Sequence, residues 1–153
     1  MPQLSLHSPI GDLTVSEEEA TLVSVDWGSV ELQSYTPLLL RARAQLQDYF
    51  DGERQHFDLP LAPVGTLYQR RVWNALMRIP YGETRTYAQI AVIAGGSPRS
   101  VGGANGRNPL PIIIPCHRVL NSTGLGGYSG AGGVDTKRWL LSREAKSAIW
   151  SVA

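Results

Sequence analysis

The chain changes character after residues 56–63, a linker-like stretch interrupted by Pro60 and Pro63. That change limits the fold to α+β, with a small antiparallel sheet and helix ahead of the linker-like stretch and a mostly helical unit after it. In the first part, Leu4-Ser5-Leu6-His7 and Leu13-Thr14-Val15 flank the turn residues Ser8-Pro9-Ile10-Gly11. With Leu22-Val23-Ser24-Val25 they read as a three-stranded meander. Glu17-Glu18-Glu19 reads as a solvated acidic turn, and His7 as an exposed strand residue. Thr36 and Pro37 suit the N-cap and first position of a helix, and Gly52 stops it. Its buried stripe is Leu38, Leu39, Ala42, Leu46, Tyr49 and Phe50.

After the linker, helix starts dominate. Thr66-Leu67-Tyr68-Gln69 is a capping-box pattern opening a helix to about Arg78, with Val72, Trp73, Leu76 and Ile79 inward. A second box, Thr86-Tyr87-Ala88-Gln89, opens a short helix to about Ala94. Gly95-Gly96 stops it, and Ser97-Pro98 starts another. Two short helices on a glycine turn make a helix-turn-helix candidate. The second carries Gly102, Gly103 and Gly106, and each interior glycine costs up to about 1 kcal/mol. Close approach of another backbone would offset that cost. Either a neighbouring helix packs there, or a nucleic-acid backbone does, met by Arg99, Asn105 and Arg107.

Asn108-Pro109-Leu110-Pro111 turns the chain into Ile112-Ile113-Ile114, which reads as a buried strand delivering Pro115-Cys116-His117-Arg118-Val119. Residues 124–133 are glycine-dense around Tyr128-Ser129, suited to closing over a ligand or simply to connecting. Asp135 reads as the cap of a final helix, with Val134 and Trp139 as a hydrophobic staple and Glu144 near its end.

Composition narrows the partners. A net charge of +1 advertises no global field for nucleic acid, so any DNA contact rests on local basic groups and backbone amides. A single cysteine excludes an intrachain disulfide framework and a cysteine-cluster zinc site, and fits a reducing compartment. No apolar stretch has the length of a membrane span and the start lacks a signal-peptide pattern, so a soluble cytoplasmic protein is expected.

Cys116 carries the chemical interest. A free cysteine is usually a small buried hydrophobe. Set between Pro115 and His117-Arg118 it is also a candidate nucleophile, because the thiolate is the reactive form and a nearby base populates it. On an extended segment adjacent side chains point to opposite faces, so His117 needs a bend or a bridging water to reach the sulfur.

The run Asn108-Pro109-Leu110-Pro111-Ile112-Ile113-Ile114-Pro115-Cys116-His117-Arg118-Val119 resembles the active-site signature of the O6-alkylguanine-DNA alkyltransferases. Arg99-Ser100-Val101-Gly102-Gly103-Ala104 resembles their recognition helix, and Gly127-Tyr128-Ser129-Gly130 and Lys137-Arg138-Trp139-Leu140-Leu141 also fit. The likeness runs from about Tyr68 to Glu144, and the first third fits in outline. It implies a ribonuclease-H-like α/β domain over residues 1–62 and a DNA-binding alkyltransferase domain over 63–153. The implied activity is direct-reversal repair: minor-groove binding of double-stranded DNA, base flipping, and single-use transfer of the alkyl group of O6-alkylguanine, and of O4-alkylthymine, to a cysteine. The chemistry is coherent, since O6 lies inside the base stack, a soft anion suits attack on an alkyl carbon, and a thioether has no easy route back.

By the same resemblance Cys116 is the acceptor, His117 the base acting through a water, and Glu144 the carboxylate orienting it. Tyr87 contacts the flipped base and gives guanine a proton as it leaves. Tyr128 and Ser129 line the pocket, Arg99 fills the gap in the stack, Asn108 braces the turn, and Lys137 lies near the pocket. The carbonyls of Cys116 and Val119 read the guanine amine. Ser100, Gly102, Asn105 and Arg118 complete the substrate- and DNA-contacting set. No cofactor or metal is implied; some members carry an N-terminal zinc site, which this chain lacks the cysteines to build. The implied protein is a monomer that loads on DNA alone or cooperatively. In the family pattern a longer stretch separates the helix-starting proline from the arginine; here Arg99 follows Pro98 directly, trimming the start of the recognition helix. Two other classes compete. A lesion sensor on the same fold lacks the cysteine, and a thiol hydrolase has no use for the glycine-rich helix.

Overall fold

The alternating runs form β1 (Gln3–Leu6), β2 (Leu13–Glu18) and β3 (Thr21–Trp27), an antiparallel sheet in the order β1-β2-β3. Leu4 pairs with Val15 and Val15 with Val25, so the buried residues Leu4, Leu6, Leu13, Val15 and Val25 share one face. The computed structural model describes the backbone of residues 1–152 and the side chains of residues 1–146. The acidic run is not a solvated turn. Glu17 and Glu18 lie in β2, and a bulge at Ser16/Glu17 leaves Glu17 buried. The turn itself is Glu19-Ala20, with φ of 51° and 62°, the two left-handed residues of a type I′ hairpin.

α1 (Pro37–Phe50) starts where expected, Thr36 Oγ1 accepting the Leu39 N–H at 3.1 Å. Its buried face includes Gln45, whose amide brackets Asp58 by accepting its N–H at 2.9 Å and donating to its carbonyl at 3.1 Å. Residues 56–63 are no free tether. Leu22 N–H donates to Pro60 O and Ala62 N–H to Leu22 O, both at 2.9 Å, because the segment's free backbone groups find β3. By its internal contacts the chain divides into Met1–Val64 and a second unit starting at Gly65.

The second unit holds α2 (Leu67–Met77), β4 (Arg85–Thr86), α3 (Tyr87–Ala94), α4 (Pro98–Gly106), β5 (Val119–Leu120) and α5 (Val134–Val152), with β4 and β5 parallel. Reciprocal capping boxes open α2 (Thr66 with Gln69), α3 (Thr86 with Gln89) and α4 (Ser97 with Ser100). α2 holds the helix pair in place: Trp73 Nε1 donates to Ala104 O at 2.9 Å, and the Tyr68 hydroxyl lies 2.9 Å from Gly95 O and 2.8 Å from Ser100 Oγ. Gly96 between them has φ +81°, and a Cβ there would stand 2.5 Å from the Tyr68 hydroxyl.

α5 starts two residues earlier than the cap reading. Gly132 and Gly133, with φ of 81° and 54°, lead directly into Val134, so Asp135 sits in the first turn and bonds Arg138 at 3.3 Å. Its charge there suits the helix dipole. Val134 is exposed, so it serves no staple, and Glu144 falls mid-helix. Among the described residues no helix is long and apolar enough to cross a membrane.

Candidate active site

Ile112-Ile113-Ile114 is buried but is not a strand. Pro109, Pro111 and Pro115 remove the N–H groups a ladder needs, and the segment folds into tight turns instead. Ile112 takes φ +74°, a costly conformation for a β-branched residue. Asn108 holds it there. Its Oδ1 accepts the Leu110 N–H at 2.9 Å and its Nδ2 donates to Ile114 O at 2.8 Å, while Ile114 N–H closes on Leu110 O at 2.8 Å.

Pro115, with φ −80° and ψ 67°, forms an inverse γ-turn closed by the Cys116 N–H on Ile114 O at 2.8 Å. Cys116–Arg118 then makes a single 3-10 turn. This is the bend that an extended segment lacks. Both neighbours turn inward, Cys116 to 3% and His117 to 0% exposure.

Glu144, 1% exposed, reaches this turn from α5. Its Oε2 lies 2.6 Å from His117 Nε2. Arg118 Nε donates to Oε1 at 2.8 Å, Nη2 to Oε2 at 3.1 Å, and Nη1 to Ile79 O at 2.7 Å. Burial pushes the Glu144 carboxyl up, but the bonds and charges of His117 and Arg118 outweigh it and hold its pKa at about 2. Burial also lowers the His117 pKa against the pull of Glu144. The imidazole is therefore neutral, with its proton toward the carboxylate. Its other nitrogen, Nδ1, is buried without a partner among the described residues, a base with a free lone pair.

The thiol rests protonated. Burial pushes the Cys116 pKa up, and the Asn108 amide, the Lys137 charge and two backbone N–H groups only moderate that. Cys116 lines a cavity of about 160 Å³ with Tyr87, Gly102, Asn105, Gly106, Gly127, Tyr128 and Ser129. Cavities of roughly that size hold a single aromatic ring. Lys137 ties two of the neighbouring segments together, Nζ donating to Val119 O at 2.6 Å and Gly127 O at 3.0 Å and lying 6.0 Å from the Tyr87 ring centre. Burial lowers its pKa, and the Cys116 charge works the other way. Burial raises the pKa of the Tyr87 phenol and that of Tyr128. A second hollow of about 300 Å³ shares Tyr87 and Gly102 with the first and adds Pro98, Arg99 and Asn121.

The expected site residues thus fall into groups. Cys116, Tyr87, Gly102, Asn105, Tyr128 and Ser129 share the cavity, while His117, paired with Glu144, follows Cys116 in the chain and Lys137 bonds Gly127, a lining residue. Arg99 is exposed in the adjoining hollow, where Tyr87 and Gly102 form the common wall. Asn108 braces the turn, and Ser100 caps α4 and meets Tyr68. Arg118 is a correction: it is buried, and its guanidinium is spent on Glu144 and Ile79 O, so it orients the carboxylate rather than facing DNA.

Asn105 is also buried, its Nδ2 donating to Cys116 O at 3.2 Å, which moves it from the outer face of α4 to the cavity. A Cβ at Gly103 or Gly106 would meet nothing within 4 Å, so these glycines do not serve helix packing inside the protein; a Cβ at Gly102 would stand 3.9 Å from the Tyr87 ring. The clamps Tyr68 and Trp73 escaped the sequence reading, which assigned Tyr68 only to a capping box and Trp73 only to a buried face.

Comparison with known proteins matches most of both units. Residues 67–146 match the family model for the 6-O-methylguanine DNA methyltransferase DNA-binding domain, and residues 4–63 its ribonuclease-like domain. The constitutive methylated-DNA--protein-cysteine methyltransferase of Bacillus subtilis (strain 168) is 46% identical over 90% of this chain and 92% of its own. A crystal structure of Mycobacterium tuberculosis O6-methylguanine methyltransferase aligns with a TM-score of 0.85 at 40% identity, over 95% of this chain and 93% of that one. The M. tuberculosis OGT structure in complex with DNA aligns at 0.86 and 41%, over 96% and 94%. With both units and the α+β architecture matched, the chain belongs to the 6-O-methylguanine DNA methyltransferase family.

Proposed function

We propose that this protein repairs DNA by direct reversal, moving the alkyl group of an extruded O6-alkylguanine irreversibly to Cys116. One observation carries the reading: the only cysteine lines a ring-sized cavity and is followed by a neutral histidine whose second ring nitrogen is buried with no partner among the described residues. The thiol proton passes through a water to His117 Nδ1, and Glu144, ionised by Arg118, stabilises the imidazolium. The thiolate attacks the alkyl carbon; the S–C bond forms as the C–O6 bond breaks. Negative charge develops on guanine, and Tyr87 supplies a proton at the ring as it departs. The product thioether holds the alkyl group, so each molecule acts once.

The outer face of α4, smooth at Gly103 and Gly106, meets the minor groove of double-stranded DNA, with Arg99 entering the stack where the base has left. The second unit, from Gly65 on, then does both DNA binding and chemistry, and Met1–Val64 forms its ribonuclease-like companion. O4-alkylthymine is a second substrate on the same chemistry, the protein acts as a monomer, and a reducing, cytoplasmic setting keeps the thiol usable.

The test is intact mass after incubation with a duplex carrying one O6-methylguanine. One added methyl mapped to Cys116, and none in Cys116→Ala, is the expected result. Transfer by Cys116→Ala, or an adduct elsewhere, removes the assignment.

A further inference from the structure

We infer that Arg71, on the exposed face of α2, holds a backbone phosphate of the duplex beside the groove that α4 enters, so that the DNA-contacting surface runs on from α4 to α2. The inference rests on the DNA-binding part of the proposed repair reading and deepens it. The small net charge of the chain conceals a division. Met1–Val64 carries three Lys and Arg against ten Asp and Glu, and the unit starting at Gly65 carries eleven against three. In that second unit all three acids are already paired: Glu83 with Arg85 at 3.2 Å, Asp135 with Arg138 at 3.3 Å, and Glu144 with Arg118 at 2.8 Å. The surplus is left without a counter-charge in its own unit, and Arg70, Arg71 and Arg78 place three of its members on α2, all exposed.

Position singles out Arg71. Its guanidinium lies 5.6 Å from the centre of the Tyr68 ring, and the Tyr68 hydroxyl lies 2.8 Å from Ser100 Oγ. One aromatic ring thus separates the Arg71 cation from the first turn of α4, where Arg99 is also exposed. The ring holds the guanidinium in place, so less rotamer freedom is lost when an anion arrives. A helix face laid in the minor groove, about 6 Å wide, is flanked by the phosphates of both strands. A cation standing beside the start of α4 meets one of those rows, and its planar fork bonds two phosphate oxygens at once. Contacts of this kind fix register and orientation on the duplex without reading sequence.

The experiment measures the affinity of the full-length protein for an undamaged duplex between about 0.05 and 0.3 M salt, and takes the slope of log affinity against log salt. Arg71→Gln is expected to weaken binding about fivefold or more at 0.1 M salt and to flatten the slope by about 1, the signature of one lost phosphate contact. Arg71→Lys should recover the slope but not all of the affinity, since it keeps the charge and loses the fork. Arg41→Gln, which removes an exposed charge from α1, should leave the slope as in the wild type. An unchanged slope in Arg71→Gln, or the same flattening in Arg41→Gln, overturns the inference and leaves the repair reading standing. A loss of affinity at unchanged slope marks a merely structural residue and overturns it equally. A wild type that binds the duplex with the expected slopes but takes no methyl from O6-methylguanine overturns the transfer and leaves the phosphate contact in place. A wild type with no salt-dependent affinity for duplex DNA overturns both.

Discussion

Arg118 shows how much of this site depends on one guanidinium. The buried carboxylate is held ionised first by His117 and then by Arg118, whose fork reaches both oxygens. Arg118→Met leaves a buried charge and an orphaned Ile79 carbonyl, and is expected to cost about 3–5 kcal/mol in urea unfolding. Arg118→Lys should recover little, since an ammonium cannot bridge both oxygens and Ile79 O together. A loss under 1 kcal/mol for Arg118→Met would show that Glu144 does not need it. Cys116 and His117 stand out in the sequence because residue type and adjacency announce chemistry. Arg118 was legible as part of the motif but not in its role, because a charged residue next to a reactive thiol looks like a substrate contact until burial and partners are known.

At the scale of elements, the turn between α3 and α4 decides where the glycine-rich helix presents its face. Gly95 and Gly96 both have positive φ, so alanine is strained at either. Only at Gly96 would the new Cβ also displace the Tyr68 hydroxyl from Gly95 O and Ser100. Gly95→Ala is expected to cost roughly 1 kcal/mol, and Gly96→Ala about 1 kcal/mol or more beyond it. Chemical denaturation of the two variants makes the comparison, and equal costs would mean that the Tyr68 clamp contributes nothing. The capping boxes that open α2 and α3 were readable from four-residue patterns, since a cap is a local event. The isoleucine run was misread as a strand because apolar runs of that length carry no periodicity, and the prolines that break the ladder were weighed only as turn formers.

For the whole molecule, the buried triad makes stability fall in acid. Folded His117 takes a proton less readily than the unfolded residue, whose pKa is 6.5, so the unfolded chain binds more protons as pH drops below that value. Glu144 adds to the effect. Its stabilisation is present above its unfolded value of 4.5 and is lost as pH falls toward its folded value of about 2. Urea midpoints should therefore be level near pH 7, decline from about pH 6.5, and decline again below about 4.5. His117→Gln should remove the first decline, and a wild-type midpoint that does not move between pH 7 and 5 would contradict the neutral, buried imidazole. With a net charge of +1 the chain as a whole does not attract DNA, so its approach depends on the local surface of α4 and on Arg99.

Sequence alone settled the α+β class, the helix starts at Thr66, Thr86 and Ser97 and most of the buried stripe of α1, where Leu38 is only half-buried and Gln45 was missed, and it singled out Cys116, because each follows from neighbours within a few residues of one another. Tertiary structure alone decided which groups face the sulfur. Glu144 lies 27 residues from His117, and Arg118 reaches Ile79 across 39. Local patterns specify caps, stripes and turns; whether a charge is solvated or sealed beside a partner depends on packing between distant segments, and that is what turned Arg118 and Asn105 inward, bent the isoleucine run, and left His117 Nδ1 free.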